Sequence, residues 1–178
     1  MKTISLKTGQ TVKIRRADKE DAAAMIDYIC QIVTETDFLT IGPGDFTISL
    51  GEEENFIASF IEAKNSIFLV AEIDGRLVGA AHFDGGKHPR LRHTGEMGIT
   101  VVKEYWGIGI GKALMDCVIN WAKECGVIKK INLLVHQDNY KASNLYKKFG
   151  FQKEGIRTRE FCIQGKLFDA TLMGLTID

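Results

Sequence analysis

Glycines stand at alternate positions, Gly107, Gly109 and Gly111, directly before an apolar pattern of helical spacing. A strand-like segment, residues 94–102, precedes them, so they predict a loop at the start of a helix. The first N–H groups of a helix lack intrahelical partners, and the helix dipole adds about half a positive charge there. Such a loop binds anions, because glycine lets a phosphate approach the backbone. The alternative is a tight turn whose glycines serve packing alone.

Two well-known phosphate loops are excluded by residue identity. A Walker loop requires glycine where Trp106 stands and a hydroxyl where Ala113 stands. A Rossmann loop, G-x-G-x-x-G, requires glycine where Lys112 or Leu114 stands. A small nucleotide-binding protein therefore remains only a distant alternative.

A second candidate set lies in the segment NYKASNLYKKFGF, residues 139–151. Asn139 and Tyr146 are two helical turns apart and share one face of a predicted helix. Spacing alone favours a core tyrosine with its hydroxyl at the surface.

Together the two segments resemble the GNAT superfamily of N-acetyltransferases. The acetyl-CoA loop of that superfamily has the pattern [RQ]-x-x-G-x-[GA]. Gly109 and Gly111 match its last two fixed positions. Trp106 stands at the Arg or Gln position. A second family pattern, N-x-x-A-x-x-L-Y-x-x-x-G-F followed by E-G, matches at Asn139, Ala142, Leu145, Tyr146, Gly150, Phe151, Glu154 and Gly155. The resemblance is strong over residues 94–155 and rests on element order elsewhere.

The resemblance implies a GNAT fold of the α/β (α+β) type. It is a mixed, mostly antiparallel twisted sheet of about seven strands with about four helices, and its central strands splay at the cofactor site. It also implies acetyl-CoA as co-substrate, without a metal. Lys112 could compensate for the side-chain donor that Trp106 lacks. The implied cofactor-binding residues are Ile99, Val101, Val102, Trp106, Gly107, Ile108, Gly109, Ile110, Gly111, Lys112 and Asn139.

The implied reaction is direct attack of an amine on the thioester in a ternary complex, with Tyr146 as general acid toward the sulfur. Phenol and thiol pKa values of ~10 and ~8.5 are close enough for that transfer. An alkylamine of pKa ~10.4 costs ~4.6 kcal/mol to deprotonate at pH 7, whereas an α-amino group of pKa ~8 costs about 1 kcal/mol. Glu96 is the candidate base and His93 a weaker second. Glu96 is equally well explained as a solvent-facing strand residue.

The acceptor is expected opposite the cofactor, between the loop joining the first two helices and the last hairpin. Glu35, Asp37 and Asp45 could attract a cation there, whereas Glu52, Glu53 and Glu54 suit a helix N-terminus. The residues do not identify the acceptor, which is a small-molecule or peptide amine. The resemblance also allows a homodimer. The rival function is a non-catalytic acyl-CoA-binding sensor or interaction module.

The predicted elements place both candidate segments in one mixed sheet. Predicted strands cover residues 11–17, a hairpin over 66–83 with its turn at Asp74-Gly75, 94–102, 131–135, and two strands about a turn near Gly165. The first two predicted helices run from Asp18 or Asp21 to about residue 34 and over residues 52–64. The third follows the glycine loop and ends at Gly126, and the fourth runs from Asp138 or Asn139 to Gly150. The inward residues predicted for the first two helices are Ala22, Met25, Ile26, Ile29, Val33, Phe56, Phe60 and Ile61.

Length and composition predict a single domain over residues 1–178. Lys plus Arg and Asp plus Glu are 23 each, so no net field favours nucleic acid or an acidic membrane. The lack of an apolar leader or a ~20-residue apolar run predicts a cytoplasmic protein. The four cysteines, without a C-x-x-C pair, predict buried reduced thiols, and the histidine spacing predicts no metal site.

Overall fold

A computed structural model describes residues 2–6 and 8–178. It has one eight-stranded sheet in the order β1-β2-β3-β4-β5-β6-β8-β7. The strands are β1 Lys2–Ser5, β2 Thr11–Arg16, β3 Ile67–Ile73, β4 Arg76–Gly85, β5 Thr94–Val101, β6 Lys130–His136, β7 Gln152–Ile163 and β8 Lys166–Thr176. The helices are α1 Ala22–Ile32, α2 Leu50–Glu62, α3 Ile110–Glu124 and α4 Tyr140–Lys148, with short 3-10 turns at Lys19–Asp21 and Lys103–Tyr105.

The mixed, mostly antiparallel sheet is confirmed, with one strand more than the seven predicted. The additional strand is β1, which pairs with β2 at the sheet edge. Its residues are largely exposed, so its sequence lacks the apolar alternation that marks a half-buried strand. Neighbouring strands are antiparallel except β5 and β6, which are parallel.

The predicted splay lies between β5 and β6. Their pairing covers only residues 94–96 of β5 and 130–132 of β6. Both strands continue beyond that point, β5 to Val101 and β6 to His136, without pairing to each other. A wedge-shaped gap therefore opens toward the carboxyl ends of the two strands.

The hairpin turns follow the predicted chemistry. Asp74 and Gly75, between β3 and β4, both have positive φ, 49° and 80°. Gln164 and Gly165, between β7 and β8, have φ of 50° and 77°. This left-handed pair is the backbone of the two-residue turn that matches strand twist.

Helices cover both faces of the sheet. On one face α3 and α4 pack over a core that includes Met97, Leu114 and Leu133. On the other, α1 and α2 cover a smaller core that includes Met25 and Ile57. These two cores make β5 and β6 a rigid frame on either side of the gap.

Part of the predicted inward set was wrong. Phe56 and Ile61 are 45% and 50% exposed, and Ile57 takes the core position of α2 beside Phe60. In α1, Ala22 and Met25 are buried as predicted, as is Val33 at its end, and Ile29 packs half-buried against the same core. Ile26 is only half-buried, and Tyr28 and Ile32 are buried in addition. The buried face of each helix is selected by contact between α1 and α2 and with the sheet, which the apolar pattern of one helix does not show.

The prediction of buried thiols was also wrong. Cys30 and Cys162 are exposed, and Cys117 and Cys125 are half-buried, all without disulfides. They lie at the margins of the buried helix faces and on an outer strand. None of the described helices is long and apolar enough to cross a bilayer.

Glu53 is a buried carboxylic acid on the core-facing side of α2. It is 1% exposed, and its Oε1 has no hydrogen-bond partner among the described residues. Burial raises the pKa of this carboxyl. Because the folded-state pKa is raised, the contribution of Glu53 to the free energy of unfolding is most favourable at acid pH. That contribution is lost as the pH rises through the folded-state pKa.

Replacing Glu53 by glutamine is therefore expected to raise the free energy of unfolding at pH 7.5 by about 1 kcal/mol, because the substitution removes a poorly solvated charge. The difference should shrink toward zero as the pH falls below about 4, where the carboxyl becomes protonated in the unfolded state as well. Urea unfolding at the two pH values measures this. A variant less stable than the parent at pH 7.5 would contradict it.

Candidate active site

The glycine segment forms an open loop between β5 and α3. Gly107 and Gly109 have φ of 81° and 112°, which non-glycine residues rarely adopt, and Gly109 is the N-cap of α3 without a side-chain cap. Within the described chain, no N–H of residues 107–112 donates to another group; the first bonded amide is that of Ala113, to the Gly109 carbonyl at 3.0 Å. These amides form a site suited to an anion.

Gly111 differs from the other two glycines because its φ is ordinary. A Cβ placed there would lie 3.6 Å from the Leu145 side chain and 3.9 Å from that of Val101, which is ordinary contact. The protein's own packing therefore does not require glycine at this position. Leu145 belongs to α4, so α4 packs beside the start of α3.

Trp106 uses its indole within the protein. Its Nε1–H donates to the Val101 carbonyl at 2.6 Å, and the Lys141 ammonium lies 5.6 Å from the ring centre. The indole therefore braces the end of β5 and has no free hydrogen-bond donor. Lys112 is exposed in the first turn of α3, and the Ile110 side chain is fully buried.

The β5 backbone presents free groups to the gap at alternate residues. The Val102 N–H donates to the carbonyl of Val78 in β4 at 3.0 Å, so the Val102 amide is not free. Antiparallel alternation then directs the backbone groups of Met97, Ile99 and Val101 away from β4, toward β6. Since the Val101 carbonyl accepts from Trp106, the unpaired groups are concentrated at Ile99 and at the Val101 amide.

Tyr146 faces the core beneath α4. It is 7% exposed, and its ring centre lies 5.9 Å from that of Phe151. Burial raises the pKa of the phenol, so it is neutral near pH 7 and can donate but not accept a proton. Asn139 is the N-cap of α4, because its Oδ1 accepts from the Ala142 N–H at 3.1 Å. Its amide oxygen therefore serves the helix that carries Tyr146.

Glu96 is exposed on β5 and is the last residue paired with β6 before the gap, opposite Asn132. It lies on the face covered by α1 and α2, where Gly98 and Thr100 follow at alternate positions. Tyr28 of α1 donates to the Thr100 hydroxyl at 2.8 Å on that face. This carboxylate therefore lies on the opposite face of the sheet from Tyr146, which packs in the core under α3.

His82 has no sequence signal beyond the histidine spacing, which predicts no metal site. Its ring lies against Gly98, where a Cβ would collide with it, and close to Phe60 and Phe68. Burial lowers the pKa of His82, so a neutral imidazole occupies this face at neutral pH. The pairing of β4 with β5 that creates this contact has no local signal in the sequence.

The other candidate acids and His93 are farther from the gap or already bonded. His93 precedes β5 and is exposed, at the end where β5 and β6 are still paired. Glu35 accepts from the Lys103 N–H at 2.7 Å and from Gln31, and Asp45 accepts from the Gly42 N–H. Asp37 is exposed, and Glu52 completes the capping box of α2 with Ser49.

No cluster of potential metal ligands occurs among residues 2–6 and 8–178. A cleft of about 470 Å³ opens near the amino end of β5, lined by residues that include Phe56, Asn65, Asp84 and Arg92. It includes neither the glycine loop nor Tyr146. The residues around the gap do fit a ligand with a diphosphate and an amide-bearing chain, since free amides line both the loop and the strand edge.

Comparison with known proteins identifies the family. The model of the acetyltransferase (GNAT) family matches residues 29–151. The L-amino acid N-acetyltransferase AaaT of Escherichia coli (strain K12) is 35% identical over 105 residues, 59% of this chain and 65% of that protein, so the match spans slightly less than two thirds of its length.

Two solved structures share the fold. A GNAT-family acetyltransferase from Streptococcus pneumoniae has a TM-score of 0.91 and 32% identity, over 93% of this chain and 99% of that one. The yncA protein of Salmonella typhimurium, solved with its cofactor acetyl-CoA, has a TM-score of 0.83 and 24% identity, over 94% of each chain. The chain therefore belongs to the GNAT family of N-acetyltransferases, which use acetyl-CoA as acetyl donor.

Proposed function

We propose that this protein transfers the acetyl group of acetyl-CoA to a primary amine by direct attack in a ternary complex. The observation that carries the proposal is the row of unpaired amides at residues 107–112, which lies at the carboxyl end of the β5–β6 gap. When bound, acetyl-CoA supplies an acetyl group activated as a thioester. The remaining requirements are met by residues of this chain.

The loop amides of Gly107, Ile108, Gly109, Ile110, Gly111 and Lys112 bind the diphosphate, with Lys112 adding charge at the helix start. The free backbone groups of Ile99 and Val101 bind the amide chain along the gap. Trp106 contributes by fixing the end of β5 through its bond to the Val101 carbonyl. Asn139 contributes by capping α4 and so fixing Tyr146.

Tyr146 donates a proton to the sulfur as the C–S bond breaks. Its buried phenol is neutral at physiological pH, which is the protonation state that a general acid requires. Leu145, next to it on α4, would lie 3.6 Å from a Cβ on Gly111, so the same short helix approaches the loop and holds the phenol. This arrangement supports catalysis over mere binding, because a binding module needs no proton donor at the sulfur.

Glu96 takes the proton of the attacking amine, directly or through water. It borders the gap on the α1 and α2 face, where an acceptor can enter without crossing the cofactor side. An α-amino acceptor is easier to deprotonate than an alkylamine by about 3 kcal/mol at pH 7. The similarity to AaaT, an L-amino acid N-acetyltransferase, also favours α-amino acceptors.

Acetyl-CoA is expected to raise the melting temperature by about 5–10 °C at a concentration near 100 times its dissociation constant, from ~2.7 kcal/mol of binding. Differential scanning fluorimetry measures the shift. Pantetheine, which lacks the diphosphate, is the control and should have little effect. If ATP abolishes the shift by competition at low concentration, the loop is a nucleotide site and the proposal is wrong.

The activity is tested by the release of free CoA thiol with panels of amino acids, peptide N-termini, polyamines and aminoglycosides. Turnover with at least one amine is expected, together with its N-acetylated product by mass spectrometry. Thermal stabilisation by acetyl-CoA without turnover on any panel would favour the non-catalytic acyl-CoA-binding module.

A further inference from the structure

His136, the last residue of β6, has a buried imidazole with one unpaired nitrogen. The residue is 4% exposed, and its Nε2 has no hydrogen-bond partner among the described residues. An unpaired buried donor destabilises a protein by about 1–3 kcal/mol. A partner supplied by a ligand would explain why the fold retains this nitrogen.

The protonation of the imidazole follows from its other nitrogen. The Asp138 N–H donates to Nδ1 at 3.2 Å, so Nδ1 carries the lone pair. In that tautomer the proton is on Nε2, which makes Nε2 a hydrogen-bond donor. The missing partner must therefore be an acceptor, such as a carbonyl or carboxylate oxygen.

Three phenylalanines from separate segments surround the imidazole. The ring centres of Phe38, Phe161 and Phe168 lie 5.4, 5.1 and 5.0 Å from that of His136. Phe161 and Phe168 are fixed in β7 and β8, whereas Phe38 belongs to the segment between α1 and α2. Among the described residues, the hydrogen bonds of 36–48 stay within that segment, so Phe38 is the ring that can be displaced most readily.

The position of His136 along β6 relates it to the gap. Ile131, Leu133 and Val135 face the core under α3, so Asn132, Leu134 and His136 face the side of α1 and α2. Glu96 pairs with Asn132 on the same side, and His136 lies four residues farther, about 13 Å along the strand. On the acceptor side of the gap, Glu96 therefore lies at the closed end and His136 at the open end.

We propose that His136 selects the acceptor by donating its Nε2–H to a carbonyl or carboxylate oxygen near the amine that is acetylated. The inference rests on the proposed function and narrows its substrate class to α-amino acids and peptide N-termini. Polyamines and simple alkylamines offer no such oxygen. The phenylalanine rings favour an apolar side chain, and entry of the acceptor displaces Phe38 from its position over the imidazole.

The test compares L-leucine, L-leucinamide and 3-methylbutylamine, which share one side chain while the last lacks the carbonyl group. For His136→Phe we expect KM for leucine and leucinamide to rise about 10- to 100-fold with kcat changed much less. The KM for 3-methylbutylamine should stay within about threefold, and His136→Gln, which restores an N–H donor, should recover most of the loss. Because each amine is compared between protein variants, differences in amine pKa cancel.

Equal losses with all three acceptors would show a merely structural role and overturn the inference. Preferential acetylation of spermidine over every amino acid and peptide would also overturn it, yet leave the N-acetyltransferase proposal standing. Failure of the unmodified protein to acetylate any amine would overturn both. If His136→Phe does not fold, the Nε2–H resonance of the unmodified protein decides. It should shift with N-acetyl-leucine and not with N-(3-methylbutyl)acetamide, and an equal response to both contradicts the proposal.

Discussion

Replacing Tyr146 by phenylalanine is expected to lower kcat about 10²- to 10³-fold and to leave the dissociation constant of acetyl-CoA within about twofold. The substitution removes one oxygen from a ring that is otherwise retained in its contact with Phe151. Without the phenol, the thiolate leaves unprotonated, so the transition state loses stabilisation that the bound ground state does not have. The effect should therefore appear in kcat rather than in binding.

Steady-state release of CoA thiol gives kcat, and isothermal titration calorimetry gives the dissociation constant. Tyr28→Phe is a matched control, because Tyr28 is also a buried tyrosine whose pKa is raised by burial, but its hydroxyl donates to Thr100 on the other face of β5. It should cost about 1 kcal/mol of stability with little change in kcat. Equal losses of turnover and affinity in Tyr146→Phe would instead assign Tyr146 to cofactor packing.

The pH dependence of kcat offers an independent check on the same group. Burial raises the Tyr146 pKa above that of a free phenol. At every pH below about 10, therefore, kcat should not fall through deprotonation of Tyr146. Any loss of rate on acidification must come from another group, such as the amine or its base. If kcat falls as the pH rises past about 8, and this fall disappears in Tyr146→Phe, the phenol ionises too easily for the proposed role.

Local chemistry made much of the fold predictable. Positive φ at Asp74-Gly75, Gly107 and Gly109 is a property of short segments, and the sequence shows it directly. The Asn139 cap likewise depends on one helix and its immediate neighbours. The sequence therefore places the strand, loop and helix that carry the proposed donor site, whereas the roles of Tyr146 and of the loop amides stay predictions.

The acceptor side could not be predicted, because it depends on contacts between distant segments. The surroundings of His136 come from residues 38, 161 and 168, which the sheet order brings together only after β8 inserts between β6 and β7. The sequence shows that Trp106 replaces the Arg or Gln of the family loop. It does not show the hydrogen bond from the Trp106 indole to the Val101 carbonyl, since the direction of the indole depends on the 3-10 turn before it. Similarly, the hydrogen bond between Val102 and Val78 follows from the register of β4 with β5.

Gly111 allows the anion site to be tested without disturbing the fold. Alanine at Gly107 or Gly109 would strain a left-handed backbone by about 1–2 kcal/mol, so lost binding there would be ambiguous. Gly111 has an ordinary φ, and a Cβ on it meets only ordinary contacts with Leu145 and Val101. Alanine and glutamate are also better helix formers than glycine by about 0.5–1 kcal/mol, and an acidic residue is favourable in the first turn of a helix. The apo protein should therefore be as stable as the parent or slightly more stable.

Gly111→Glu is accordingly expected to raise the dissociation constant of acetyl-CoA about 10- to 100-fold, because the added carboxylate repels a diphosphate at the start of α3. Gly111→Ala should bind within about twofold of the parent, since the family loop carries Gly or Ala at this position. Each tenfold step corresponds to ~1.4 kcal/mol. Gly51→Glu is the control, since Gly51 lies in the first turn of α2 with ordinary φ and open space around its Cβ position, and it should change neither binding nor turnover. Calorimetric titration gives the affinity, and urea unfolding of the apo proteins verifies that stability is retained. An unchanged affinity in Gly111→Glu would mean that the ligand does not contact the first turn of α3, and the amides of residues 107–112 would then have to be explained by the turn alone.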